Sequence, residues 1–178
     1  KPAARADKLA DEEDTTLDMR TMASSALVVK PTEGALALHF GYPYFAGFRA
    51  SVGLRDNLEI SLAFRSIAHL MNEFEVSGKM ELLRVDSFAL GASAGLGFGL
   101  GADERNSFLL NVRGLASLLL GQEATLTAHL GLHFFSDRNG PEDRPGYEER
   151  TNVLQLLLGL TLELGISHDW TFHVTFEG

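Results

Sequence analysis

The sequence predicts an all-β fold, an antiparallel up-and-down transmembrane β-barrel of about 8–10 strands, and three observations predict it. Leu154, Leu156, Leu158, Leu160, Leu162 and Leu164 occupy every second position, with Gln155, Gly159, Thr161 and Glu163 between them. A strand points successive side chains to opposite faces, so one face is leucine and the other small or polar. On a helix the same leucines would spread around the whole circumference. The second observation is length: the segment 151–165 far exceeds the roughly five to six residues usual in soluble sheets and can cross a bilayer at a tilt. The third is that the charges fall on the face opposite the leucines. A charge in hydrocarbon costs several kcal/mol, so lipid exposure demands that segregation.

Residues 1–21 are polar, contain the cluster Asp11-Glu12-Glu13-Asp14, and read as a flexible tail ahead of a barrel spanning 22–178. Met22–Lys30 is a weak strand candidate. Nine stronger candidates follow, at 35–42, 45–54, 57–65, 72–84, 88–100, 106–120, 123–135, 151–165 and 169–177. The first two carry His39, Arg49 and Ser51 on the inner parity. In the third, Leu58, Ile60, Leu62 and Phe64 oppose Glu59, Ser61, Ala63 and Arg65. The fourth sets Phe74, Val76, Met80 and Leu82 against Glu73, Glu75, Ser77, Lys79 and Glu81. In the fifth, Phe88, Leu90, Leu96, Phe98 and Leu100 oppose Ser93 and several glycines, the smallest side chains for a crowded lumen. The sixth sets Phe108, Leu110, Val112 and Leu118 against Ser107, Asn111, Arg113 and Ser117. The seventh sets Leu126, Leu130, Leu132 and Phe134 against Thr125, Thr127, His129 and His133. The last turns Trp170, Phe172, Val174 and Phe176 away from Thr171, His173, Thr175 and Glu177.

The connections alternate in length. Arg55-Asp56-Asn57, Val85-Asp86-Ser87, Gly121-Gln122-Glu123 and Ile166-Ser167-His168-Asp169 are tight turns of turn-forming residues. The segments 66–71, 101–106 and 136–150 are longer. In membrane barrels the short turns face the periplasm and the longer loops the exterior.

With 178 residues and one strand–turn rhythm, a single domain is expected. Mean hydropathy is +0.02, as expected where half of each strand is polar, and no run of 18 apolar residues makes a transmembrane helix. The start Lys1-Pro-Ala-Ala-Arg5 lacks the form of a secretory signal, so the chain reads as mature. Without cysteine there is neither a disulfide framework nor a Cys-anchored lipid. A net charge of −9 with no offsetting basic patch excludes nucleic acid as partner.

The tight "GLRDNLEI" and "LGISHDWTF" hairpins and the leucine-rich faces resemble the small outer-membrane β-barrels of Gram-negative bacteria. That group includes the transmembrane domain of outer-membrane protein A and its eight- to ten-stranded relatives. The resemblance covers about 35–177 and is architectural. It implies an outer-membrane location with lipid around the barrel, and a structural, partner-binding or porin-like role without cofactor or enzymatic activity. Such proteins usually end on an aromatic residue, whereas this chain ends Phe176-Glu177-Gly178.

The inner face gathers Glu59, Glu73, Glu75, Glu81 and Glu163 with Arg49, Arg65, Lys79 and Arg113. A small barrel is filled by its own side chains, so these charges are expected to pair across strands as a plug, ahead of a narrow charged pore. His39, His129, His133 and His173 share that face. His129 and His133 stand about 13 Å apart along one strand and cannot share a metal ion, so polar packing is the reading. Gly95-x-Gly97-x-Gly99 lies inside a strand with no helix after it and is not a nucleotide loop. Two alternatives stay open. One is a lipid-modifying lipase or acyltransferase using Ser51, Ser61 or Ser93 with His39 or His173. The other is a soluble barrel with its apolar face inward around an apolar ligand, although some forty large apolar side chains overfill such an interior. The loop 136–150 offers a partner contact or a solvated surface. Nine strands leave closure open. The expected repair is a strand supplied by a missing segment or by another chain at the 170–177 edge, ahead of Met22–Lys30 as a tenth strand.

Overall fold

A computed structural model describes residues 25–40, 46–67, 71–101, 106–121, 124–138, 151–165 and 171–177. The tail 1–21, the first residues of the Met22–Lys30 candidate and most of the 136–150 loop lie outside the described residues. Nine strands form one antiparallel sheet in sequence order: β1 (Gly34–His39), β2 (Ala46–Arg55), β3 (Leu58–Ile67), β4 (Met71–Val85), β5 (Phe88–Gly101), β6 (Asn106–Leu120), β7 (Ala124–Arg138), β8 (Thr151–Gly165) and β9 (Thr171–Glu177). The sheet curls into a half-barrel. Every neighbour is the next strand in sequence, so the topology is up-and-down and the registers are set by the short hairpins. Asp86 (φ 48°) and Gly121 (φ 71°) take the left-handed conformation that the tight turns require.

The alternation sorts the two faces as its period demands. Leu36, Leu62, Leu96, Leu130, Leu156 and Phe176 all stand exposed on the convex side, and Leu158 is 58% exposed. The inverted arrangement, with leucines packed inside, is therefore not the one this chain adopts. On that outer side Phe48, Phe64, Phe74 and Phe98 are successive cross-strand partners, with ring centroids 5.8, 5.1 and 5.3 Å apart.

Among the charged residues of β4, one breaks the parity in sequence. Arg84 has the even number of the lipophilic face. A β-bulge at Glu81/Leu83 inserts one extra residue, and beyond it Arg84 pairs with the buried Ala89 while Leu83 and Val85 pair with Leu90 and Phe88. A bulge exchanges the faces of everything after it, so it returns Arg84 to the inner parity.

The Met22–Lys30 candidate needs correcting: its described part, 25–30, is not a tenth strand. Ser25, Ala26, Leu27, Val28 and Val29 are buried on the concave side, and only the following Pro31 makes a bridge, to Gly53 of β2. The physical reason is in the residues. Ala26-Leu27-Val28-Val29 is a continuous apolar run, and such a run suits a segment enclosed on both sides rather than one with a wet face.

Candidate functional site

The concave face holds Arg49, Glu59, Arg65, Glu73, Glu75, Lys79, Glu81, Arg113 and Glu163 with His39, His129, His133 and His173, and the structure arranges them in layers. At the short-turn end lies the segment 25–30, crossing from β6 to β2. The Ala26 N–H donates to Ser117 Oγ at 2.8 Å, and the Val29 N–H donates to Glu59 Oε2 at 3.0 Å. Leu27 and Ala26 pack on Ala89, Leu115 and Leu119. The segment then turns through Lys30–Glu33 into β1. Thr32 takes a φ of 68°, a costly conformation for a β-branched residue. Two backbone bonds hold it: Thr32 N–H to the Gly53 carbonyl and Gly53 N–H to the Glu33 carbonyl, each 3.1 Å.

Glycine is what lets the wall come so close. A Cβ on Gly53 would collide with the carbonyl oxygens of Val29 and Lys30, and one on Gly91 would sit 3.0 Å from the Ala26 oxygen. Replacing Gly53 by alanine is expected to cost about 1–3 kcal/mol through overpacking of the Lys30–Glu33 turn, measurable as a lower denaturant midpoint.

Above the segment sits the first ion pair. Lys79 Nζ lies 3.1 Å from Glu59 Oε2, with both side chains almost fully buried. Glu59 Oε1 accepts from Ser61 Oγ at 3.1 Å, and Ser61 Oγ lies 2.8 Å from Ser51 Oγ. One carboxylate thus holds a cation, a hydroxyl and a backbone N–H of the inserted segment. This is the satisfaction a buried charge requires.

Higher in the lumen Glu75 is the hub. It pairs with Arg65, lies 3.8 Å from Arg49, and accepts a hydrogen bond from Asn111 on β6. Glu73 faces Arg65 in the β3–β4 register. Arg113 lays its stem over Gly131, and Glu81 lies near the short turns, its N–H bonded to the Asn57 carbonyl. Glu163 is buried on β8, within electrostatic reach of Lys79 on β4, as Arg113 on β6 is of Arg49 on β2.

The histidines separate into two places. His129 is buried over Gly159, where a Cβ would strike its ring, and His133 lies farther along β7. His39 and His173, on the two edge strands, meet with ring centroids 5.2 Å apart. Among the described residues no three His, Cys, Asp or Glu side chains gather as a metal site. Of the serines considered for catalysis, Ser51 bonds Ser61 and Ser61 also donates to Glu59, while Ser93 faces Lys79 and Arg113 in register.

The segment 25–30 is the element that strand-by-strand reading misplaced. Its bed was also marked, because Leu115 and Leu119 are buried apolar residues on the polar parity of β6. No protein-family model, curated protein or solved structure matches the chain.

Proposed function

We propose that the chain is an integral outer-membrane β-barrel of a Gram-negative bacterium, with a structural or partner-binding role and a stoppered lumen. The observation that carries this reading is the outward apolar face, continuous from Leu36 on β1 to Phe176 on β9. Monomeric soluble proteins rarely expose contiguous apolar patches above a few hundred Å². A bilayer is the solvent that matches such a surface, and strands cross it when their polar groups turn inward. The stoppered lumen rests on the segment 25–30 at one end and the Arg49–Glu75–Arg65 group above it.

Reconstituted into lipid vesicles, the chain is expected to resist extraction by alkaline carbonate and to change its gel migration on heating. Release into the soluble fraction would reject the membrane assignment. In planar bilayers it is expected to carry no steady current. Stepwise conductance would replace the stoppered reading with a narrow pore, whose support is the polar inner wall of Ser, Thr, Glu and Arg.

A further inference from the structure

Among the described residues no ladder joins β9 to β1, so each of these strands has one edge without a backbone partner. In hydrocarbon each unsatisfied N–H or C=O costs several kcal/mol. We infer that the two edges are each other's partner: the sheet closes through a direct parallel seam, Ala37–Phe40 beside Thr171–Val174, with no strand from another chain between them. This goes beyond the proposed location: the cost of an open edge in hydrocarbon rests on that reading, whereas the features of the seam are geometric.

Three features of the seam agree. The first is distance. The His39 and His173 rings are 5.2 Å apart, while the phenylalanine pairs on adjacent, hydrogen-bonded strands are 5.1 to 5.8 Å apart. An intervening strand would set the flanking backbones roughly 9.6 Å apart, twice the strand spacing.

The second is parity. Placing His39 beside His173 also places Leu38 beside Phe172 and Phe40 beside Val174, so inner residues meet inner ones and exposed apolar residues meet exposed apolar ones. An odd offset would have put leucines beside lumen residues and made a shared sheet impossible.

The third is stagger. Cross-strand partners lead from His39 through Gly47, Arg65 and Glu73 round to Thr151 on β8. Thr151 lies eight residues before Gly159, the partner of Glu177, so this line would meet the path of β9 eight residues past Glu177. That is twelve past His173, which His39 actually meets. A stagger of twelve over nine strands corresponds to a strand tilt of about 43°, within the roughly 35–45° of closed barrels. The sheet therefore returns to its own first strand at the height that closure requires. β1 and β9 both run away from the short-turn end, so the seam they make is parallel.

The chain contains no cysteine, so a His39→Cys/His173→Cys variant carries only the two probe thiols. Folded in detergent and mildly oxidised, most of it is expected to form an intramolecular disulfide, seen as a faster band on a non-reducing denaturing gel. Phe64→Cys/Phe74→Cys, on hydrogen-bonded neighbours, is the reference pair. Should the histidine variant fail to fold, Leu38→Cys/Phe172→Cys probes the same seam from outside. Linking of the reference but not of the seam would overturn the proposal. A disulfide between two chains, with a dimer band on the gel, would overturn it in favour of a partner-supplied strand. Carbonate extraction tests the membrane reading separately, so failure of one leaves the other distinguishable.

Discussion

Leu158→Arg is expected to destabilise the folded protein in lipid by about 2–4 kcal/mol, the cost of an arginine facing hydrocarbon near the bilayer midplane. Leu158 lies midway along β8 on the outer face and is paired with Leu130, itself exposed. The polar exposed Asn152 sits near the long-loop end of the same strand, so Asn152→Arg is expected to cost only about 0–1 kcal/mol. Denaturant unfolding in vesicles measures both. The contrast between the two depths is what carries information: equal small effects would mean that β8 does not face lipid.

Glu59→Gln is expected to cost about 3–5 kcal/mol, because it leaves the buried Lys79 ammonium without its compensating carboxylate. The amide keeps the shape of the side chain, so packing changes little and the loss reports charge. The bond from the Val29 N–H weakens as well, because its acceptor is no longer ionised. The double variant Glu59→Gln/Lys79→Met removes both charges and is expected to recover much of the loss. Unfolding followed by the fluorescence of the single tryptophan reads the series. A double variant as unstable as the sum of the two single changes would show that the pair is not coupled.

Much of the lumen was legible because strand parity is a rigid rule. Glu59, Glu75, Lys79, Arg49 and Arg65 were assigned inward by odd numbering, and all lie on the concave face in ion pairs. Which cation meets which carboxylate was not legible. Arg65 faces Glu73 in register yet reaches Glu75, since a long side chain on a pleated sheet can choose its diagonal neighbour. Arg84 carries the even number of the apolar face and returns inward only through a bulge, which leaves no mark in hydrophobic periodicity. The segment 25–30 fell within the weak strand candidate Met22–Lys30, and its buried place was not legible because an apolar run does not say what encloses it.

By itself the sequence determined the all-β class, nine strands within a few residues of their ends, and which face is apolar. All three follow from local physics: a two-residue period, turn chemistry, and the cost of a charge in an apolar medium. Only the tertiary structure decided how the lumen is filled and how close the edges come. Ala26 meets Ser117 and Val29 meets Glu59 across separations of 91 and 30 residues, and His39 meets His173 from opposite ends of the sheet. Those encounters depend on the curvature of the whole sheet, the sum of twist and stagger over nine strands, which no local pattern encodes.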